Sequence, residues 1–154
     1  MMICLGDYWL SSSRSPFRGS LPGWGANADK MDEADLSGRR ILLVEDELLL
    51  AIDVEHSLDE AGAQTIGPAS RLRDAVAIAA DLDVQIDAAI LDVDLHGQDV
   101  FPVADALRAR GVPFLFHTGH GTKAGLNERY FGAVVCSKPI LSEHLVAMVA
   151  RLLK

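Results

Sequence analysis

The sequence predicts a single α/β domain in which a parallel sheet carries helices on both faces. Short, unbroken aliphatic runs recur along the chain, first at residues 41–44 and again at residues 88–91, as is typical of strands buried on both faces. Segments with apolar residues at helical spacing alternate with these runs. Regular strand–helix alternation implies parallel strands joined by helical crossovers.

Composition and charge exclude several classes of protein. The chain has 154 residues, of which 49% are hydrophobic and 23% charged, which suits one domain with a full core and not a disordered chain. The formal net charge of -8 argues against a nucleic-acid partner, because non-specific binders neutralise phosphates with cations. We see no apolar span of roughly 20 residues and no secretion signal, so we expect a cytoplasmic protein that does not bind membranes.

The first part of the chain differs from the rest. Residues 1–38 contain a serine run, several prolines and glycines, and apolar residues without helical or strand period, so we predict a disordered arm there. Met31 is a candidate for the true start of the protein. We predict the folded domain over residues 39–154. Of the two cysteines, Cys136 lies in an apolar run and is predicted to be a reduced, buried thiol.

The first strand–helix unit is the clearest. The aliphatic run 41–44 predicts a strand, and helical spacing over residues 47–61 predicts the helix that follows. Gly62 is placed to end that helix in a left-handed conformation. A weaker strand is predicted at residues 63–67, closed by Pro68.

Two helices and two strands follow in alternation. Apolar residues at i, i+3, i+4 and i+7 predict a helix over residues 72–79, and the next strand is predicted at residues 87–91. The same spacing predicts a helix over residues 100–107, in which Pro102 is tolerated because it lies in the first turn. The fourth strand is predicted at residues 113–116.

The last part of the chain completes the alternation. A poorer helix is predicted over residues 122–130 and a fifth strand at residues 133–136. A final helical stripe over residues 145–152 is predicted to begin at a cap formed by Ser142.

Polar side chains follow four of these strands directly. They are Glu45 and Asp46, Asp92, Thr118 and Lys138. Because the carboxyl ends of parallel strands meet at one edge of a sheet, we expect these side chains to lie together. Three crowded carboxylates favour a hard cation, and Mg²⁺ suits a shallow, oxygen-only, partly hydrated site. An aspartate beside Mg²⁺, an ammonium and a hydroxyl is equipped to attack phosphorus.

The segment from about residue 40 to residue 154 resembles the receiver domain of two-component response regulators. The matching motifs are Leu-Leu-Val-Glu45-Asp46-Glu, Ile-Leu-Asp92-Val-Asp94-Leu, Phe-His-Thr118-Gly and Ser-Lys138-Pro139. The resemblance implies a flavodoxin-like (βα)5 doubly wound parallel sheet with strand order 2-1-3-4-5. It also implies a cis Lys138–Pro139 bond.

The resemblance assigns a role to each site residue. Asp92 would accept the phosphoryl group, and Glu45, Asp46 and Asp92 would bind Mg²⁺ together with the backbone carbonyl of Asp94. Thr118 and Lys138 would contact the phosphoryl group.

The chain departs from the family pattern in two places. Val135 stands where the family often has an aromatic residue that switches with the threonine, and the usual proline after the phosphoacceptor is missing. The Phe116–Gly121 segment resembles the FATGUY subgroup of single-domain receivers, with His117 in place of alanine. We hypothesise that Asp94 and His120 tune autodephosphorylation. His56, His96 and His144 are interpreted as surface residues.

By resemblance, the protein is a stand-alone receiver and not an enzyme in its own right. It would take a phosphoryl group from a histidine kinase or a histidine phosphotransfer protein, and signal to an effector through residues 119–154. It could form a homodimer. Two alternatives are a pseudo-receiver that only binds partners and a phosphatase similar to haloacid dehalogenases, in which Asp92 and Asp94 would be nucleophile and acid-base.

Overall fold

Six parallel strands form the central sheet of the protein. The computed structural model describes residues 3–4, 34–119, 126 and 128–154. The strands of this sheet are β1 (Ile3–Cys4), β2 (Arg40–Val44), β3 (Gln64–Ala69), β4 (Ala88–Asp92), β7 (Phe114–Thr118) and β8 (Val134–Ser137). They lie in the order β1-β8-β7-β4-β2-β3, and all neighbouring strands are parallel. A separate antiparallel hairpin joins β5 (Asp94–Leu95) to β6 (Gln98–Asp99).

Helices cover both faces of the sheet. The helices are α1 (Leu48–Glu60), α2 (Leu72–Ala80), α3 (Phe101–Ala109) and α4 (Ser142–Leu152). Residues of α1 and α4 pack on one face, and residues of α2 and α3 pack on the other. In the described part of the chain, no helix is long and apolar enough to cross a membrane.

The predicted strand order is confirmed. The five predicted strands lie side by side as β3-β2-β4-β7-β8, which is the order 2-1-3-4-5. Two interior strands, β2 and β4, are almost completely buried, because both sheet faces are covered by helices. The aliphatic runs reflect this position in the sheet.

The boundary of the domain lies earlier than predicted. Leu36 is 1% exposed, and its backbone N–H donates to the carbonyl of Ala61 at 2.8 Å, so the packed fold begins before residue 39. Strand β1 pairs in parallel with β8, with Ile3 opposite Val135, inside the segment predicted as a disordered arm. Residues 5–33, including the candidate start, lie outside the described residues, so the rest of that prediction stays a prediction.

The second predicted strand extends beyond Pro68. Strand β3 runs through this proline to Ala69, which is tolerated because β3 lies at the edge of the sheet. The Gly67–Pro68 bond is cis. Gly67 has φ of 101°, and a Cβ there would lie 2.7 Å from the carbonyl oxygen of Leu43. Only glycine suits position 67, because a Cβ there would collide with the backbone of β2.

The predicted cap at Ser142 is wrong. Ser142 is the first residue of α4, Leu141 holds the cap position, and no side chain caps the helix. The hydroxyl of Ser142 instead donates to the carboxylate of Asp53 on α1. The side chain is 6% exposed and ties the two helices that share one face of the sheet. Most of the helix predicted over residues 122–130 lies outside the described residues.

Candidate functional site

The predicted side chains meet at the carboxyl edge of the sheet. Glu45 follows β2, Asp92 ends β4, and Lys138 follows β8. The Nζ atom of Lys138 donates to Oδ2 of Asp92 at 2.7 Å and to Oε1 of Glu45 at 3.1 Å. Glu45 and Asp92 are only 2% and 6% exposed. A buried carboxylate pair is therefore held by one ammonium, as strand adjacency predicted.

Three carboxylates in this group have the spacing of a cation site. One oxygen from each of Glu45, Asp46 and Asp92 lies within 4.8 Å of the others. With Lys138 as the neighbouring cation, three carboxylates leave an excess of two negative charges when all are ionised. The oxygen-only set and its charge fit a divalent hard cation.

Burial and charge shift the pKa of each member. Burial, reinforced by the charge of Glu45, raises the pKa of Asp92 above its ordinary value, although Lys138 works against this. Burial also opposes ionisation of Glu45, but the charge and hydrogen bond of Lys138, with the hydrogen bond from the N–H of Glu47, hold the pKa of Glu45 below its usual range. Burial disfavours the charged form of Lys138, yet its bond to Asp92 and the charge of Glu45 raise the pKa of the ammonium. Perturbed groups of opposite sign in contact are typical of a functional site.

Thr118 lies at the same edge, at the end of β7. It is 2% exposed, and its hydroxyl donates to the carbonyl of Gly119 at 3.2 Å. The backbone N–H of Lys138 donates to the carbonyl of Thr118 at 2.8 Å. The threonine and the lysine are thus coupled through the backbones of neighbouring strands. The Lys138–Pro139 bond is cis, as the resemblance implied.

A hairpin that the sequence analysis did not predict follows Asp92. Its two turn residues, His96 and Gly97, have φ of 54° and 81°, which is the type I′ pattern of two-residue hairpins. The Asp94 carboxylate accepts from the N–H of Gly97 at 2.5 Å, and the N–H of Asp94 donates to Oδ1 of Asp92 at 3.2 Å. The sequence signal available for this turn was His96 followed by Gly97, between the pairs Asp94–Leu95 and Gln98–Asp99.

Two histidines contact the acid pair that follows β2. His96 is an exposed surface residue, as predicted. Its Nδ1 lies 3.2 Å from Oδ2 of Asp46, a contact that was not predicted. His117 is 1% exposed, and its Nδ1 lies 3.7 Å from Oε2 of Glu45, which is too long for a hydrogen bond. Among the residues that the structure describes, neither ring nitrogen of His117 has a hydrogen-bond partner. Only its place between Phe116 and Thr118 in the sequence hinted at burial.

Val135 stands where related receivers often have an aromatic residue, and a different aromatic residue packs in the same core cluster. Val135 is buried in the same core cluster as Tyr130, whose ring lies 5.2 Å from that of Phe116. The Tyr130 hydroxyl donates to the Asp105 carboxylate at 2.8 Å. Burial and this bond raise the pKa of Tyr130 to about 12. An aromatic residue therefore does pack beside β7, but it comes from the chain segment before β8.

His120, the second residue proposed to tune dephosphorylation, lies outside the described residues. His56 and His144 are exposed, as predicted. His56 lies on α1, where its Nε2 is 3.5 Å from Glu60.

Several solved structures are similar to this chain in both sequence and fold. SdrG from Sphingomonas melonis Fr1 is 37% identical, with a TM-score of 0.63, and the match covers 75% of this chain and 96% of SdrG. The receiver domain of the sensor histidine kinase PA1611 from Pseudomonas aeruginosa PAO1, solved with magnesium coordinated in its active-site cleft, is 25% identical over 76% of this chain and 98% of that one, with a TM-score of 0.63. The non-phosphorylated HemR receiver domain from Leptospira biflexa is 26% identical over 75% and 94%, with the same TM-score. No family model and no curated protein sequence matches the chain.

Proposed function

The chain belongs to the response regulator receiver family, and from this premise we propose that Asp92 accepts a phosphoryl group from a phosphohistidine donor. The observation that carries the proposal is the contact of Asp92 with Lys138 at 2.7 Å, beside the acidic cluster. Nucleophile, ammonium and carboxylates of a cation site thus lie at one sheet edge. Placement in the FATGUY subgroup stays a prediction.

The transfer is a displacement at phosphorus. A carboxylate oxygen of Asp92 forms a bond to phosphorus, while the bond between phosphorus and the donor's imidazole nitrogen breaks and its electron pair returns to the imidazole. Lys138 then exchanges its contact with Oδ2 of Asp92 for a phosphoryl oxygen. The Thr118 hydroxyl turns from the carbonyl of Gly119 to donate to the same group. Charge on the transferring oxygens is met by groups already in place.

Mg²⁺ would be held by Glu45, Asp46 and Asp92, with the carbonyl of Asp94 as a further ligand. When bound, the ion supplies positive charge that offsets repulsion between these carboxylates and the incoming phosphoryl group. The buried Glu45, with its lowered pKa, remains ionised for this purpose at neutral pH. These residue roles extend the likeness to PA1611 and rest on the spacing of the carboxylates.

The donor would approach the rim beside α1. Leu48, Leu49 and Ile52 are 68%, 77% and 52% exposed and lie directly after the acid pair. Apolar side chains exposed together are typical of a protein contact. We propose that this patch contacts a histidine kinase or a histidine phosphotransfer protein in the cytoplasm. We also propose that an effector binds a surface within residues 119–154 and that the protein forms a homodimer.

The test is transfer from a phosphorylated histidine phosphotransfer protein labelled with radioactive phosphate. The label is expected to move to the wild-type chain and not to Asp92→Asn, while Asp99→Asn, on the outer strand of the hairpin, behaves as wild type. A pseudo-receiver would accept no label from any donor. A haloacid-dehalogenase-like phosphatase would instead release phosphate from small phosphate esters.

A further inference from the structure

We propose that His96 is a positioning residue that orients the Asp46 carboxylate toward a bound divalent cation. This inference rests on the proposed function, because it deepens the role of the same acidic cluster. His96 lies on the hairpin turn after Asp92, and Asp46 lies 50 positions away along the chain. The link therefore joins two segments that the cation would also join.

The backbone and the ring of His96 both contact one oxygen of Asp46. The backbone N–H donates to Oδ2 of Asp46 at 3.1 Å, and Nδ1 of the ring lies 3.2 Å from that atom. Both contacts fall on the same carboxylate that belongs to the acidic cluster. Hydrogen bonds of this kind fix the orientation of a ligating carboxylate.

The backbone of the turn is built to hold this contact. His96 is the one residue other than glycine with positive φ in the described part of the chain, a conformation that costs free energy for a side chain with a Cβ. Gly97 anchors the turn to Asp94, whose own N–H bonds to Asp92. The hairpin is thus fixed at its base to the phosphoacceptor strand and at its tip to Asp46.

The experiment is a calorimetric titration of Mg²⁺ into the full chain, with thermal unfolding of the Mg²⁺-free protein beside it. His96→Gly removes the ring, keeps the backbone donor and suits positive φ. His96→Asn keeps a side-chain donor and tolerates positive φ. His56→Ala removes another exposed histidine that contacts a carboxylate, far from the site.

We expect His96→Gly to weaken Mg²⁺ binding on the order of tenfold, while its melting temperature without Mg²⁺ equals or exceeds that of wild type. His96→Asn should recover most of the affinity, and His56→Ala should match wild type. The inference about His96 is overturned if His96→Gly binds Mg²⁺ as tightly as wild type. It is also overturned if His56→Ala loses as much Mg²⁺ affinity as His96→Gly, or if His96→Asn recovers none of it. A wild-type chain that binds no Mg²⁺ overturns the proposed metal site together with the inference.

Discussion

The Nζ atom of Lys138 lies 2.7 Å from Oδ2 of Asp92, although strand β7 separates the strands that carry them. The lysine reaches across the end of β7 because β8 delivers it at the rim, where the same ammonium also meets Glu45. One ammonium thus contacts two buried carboxylates. Under the proposed function, it lies where the phosphoryl group would form.

Loss of this ammonium should destabilise the Mg²⁺-free protein. In Lys138→Met, Glu45 and Asp92 keep their burial but lose their shared donor, which we expect to lower the free energy of unfolding by about 1–3 kcal/mol. Urea unfolding without and with Mg²⁺ measures this loss, and Mg²⁺ should recover part of it.

The double variant Lys138→Met/Asp92→Asn is the matched control. It removes one of the two repelling charges, so its unfolding free energy should exceed that of Lys138→Met alone. A double variant less stable than Lys138→Met would show that Lys138 does not compensate the charge of Asp92.

The bond between Ser142 and Asp53 should appear as coupling between α1 and α4. We expect Ser142→Ala and Asp53→Ala each to lower the unfolding free energy by about 1 kcal/mol, and the double variant to lose no more than either. Urea denaturation of wild type, the two single variants and the double variant measures this coupling. Additive losses would mean that Ser142 and Asp53 do not stabilise the fold through each other.

Ionisation of Tyr130 should lower the stability of the fold at alkaline pH. Its pKa is raised from about 10 in an unfolded chain to about 12 in the folded one, so the folded state favours the neutral phenol. The resulting stability is present below pH 10 and is lost as the pH rises through about 12. Unfolding free energies measured across this range should fall in wild type and change less in Tyr130→Phe. Parallel curves would mean that Tyr130 ionises as freely as an unfolded tyrosine.

Asp94 should shorten the life of the phosphorylated state. It lies two residues beyond Asp92, and its second carboxylate oxygen can accept a hydrogen bond from an attacking water. In Asp94→Ala the phosphorylated protein should lose phosphate more slowly, whereas Asp99→Ala should match wild type. Decay of the phosphorylated band with time measures both, and His120→Ala tests the companion hypothesis. Unchanged decay in both Asp94→Ala and His120→Ala would remove these residues from the account.

The sequence predicted the strands, and the grouping of polar side chains at one sheet edge, because both depend on local patterns. Aliphatic runs at β2 and β4 give burial on both faces, and the polar residue after each run must emerge at one edge. The contacts of His96 and Ser142 were missed because they depend on partners 50 and 89 positions away. Burial of His117 depends likewise on neighbouring strands, which its flanking residues do not specify.

The most direct test is incubation with a small phosphodonor and Mg²⁺, read by phosphate-affinity electrophoresis, in wild type and Asp92→Asn. We predict a shifted band that needs Mg²⁺ in wild type and is absent from Asp92→Asn. A band that persists in Asp92→Asn, or that forms equally well with a chelator present, would contradict Asp92 as the phosphoacceptor in a cation-dependent site.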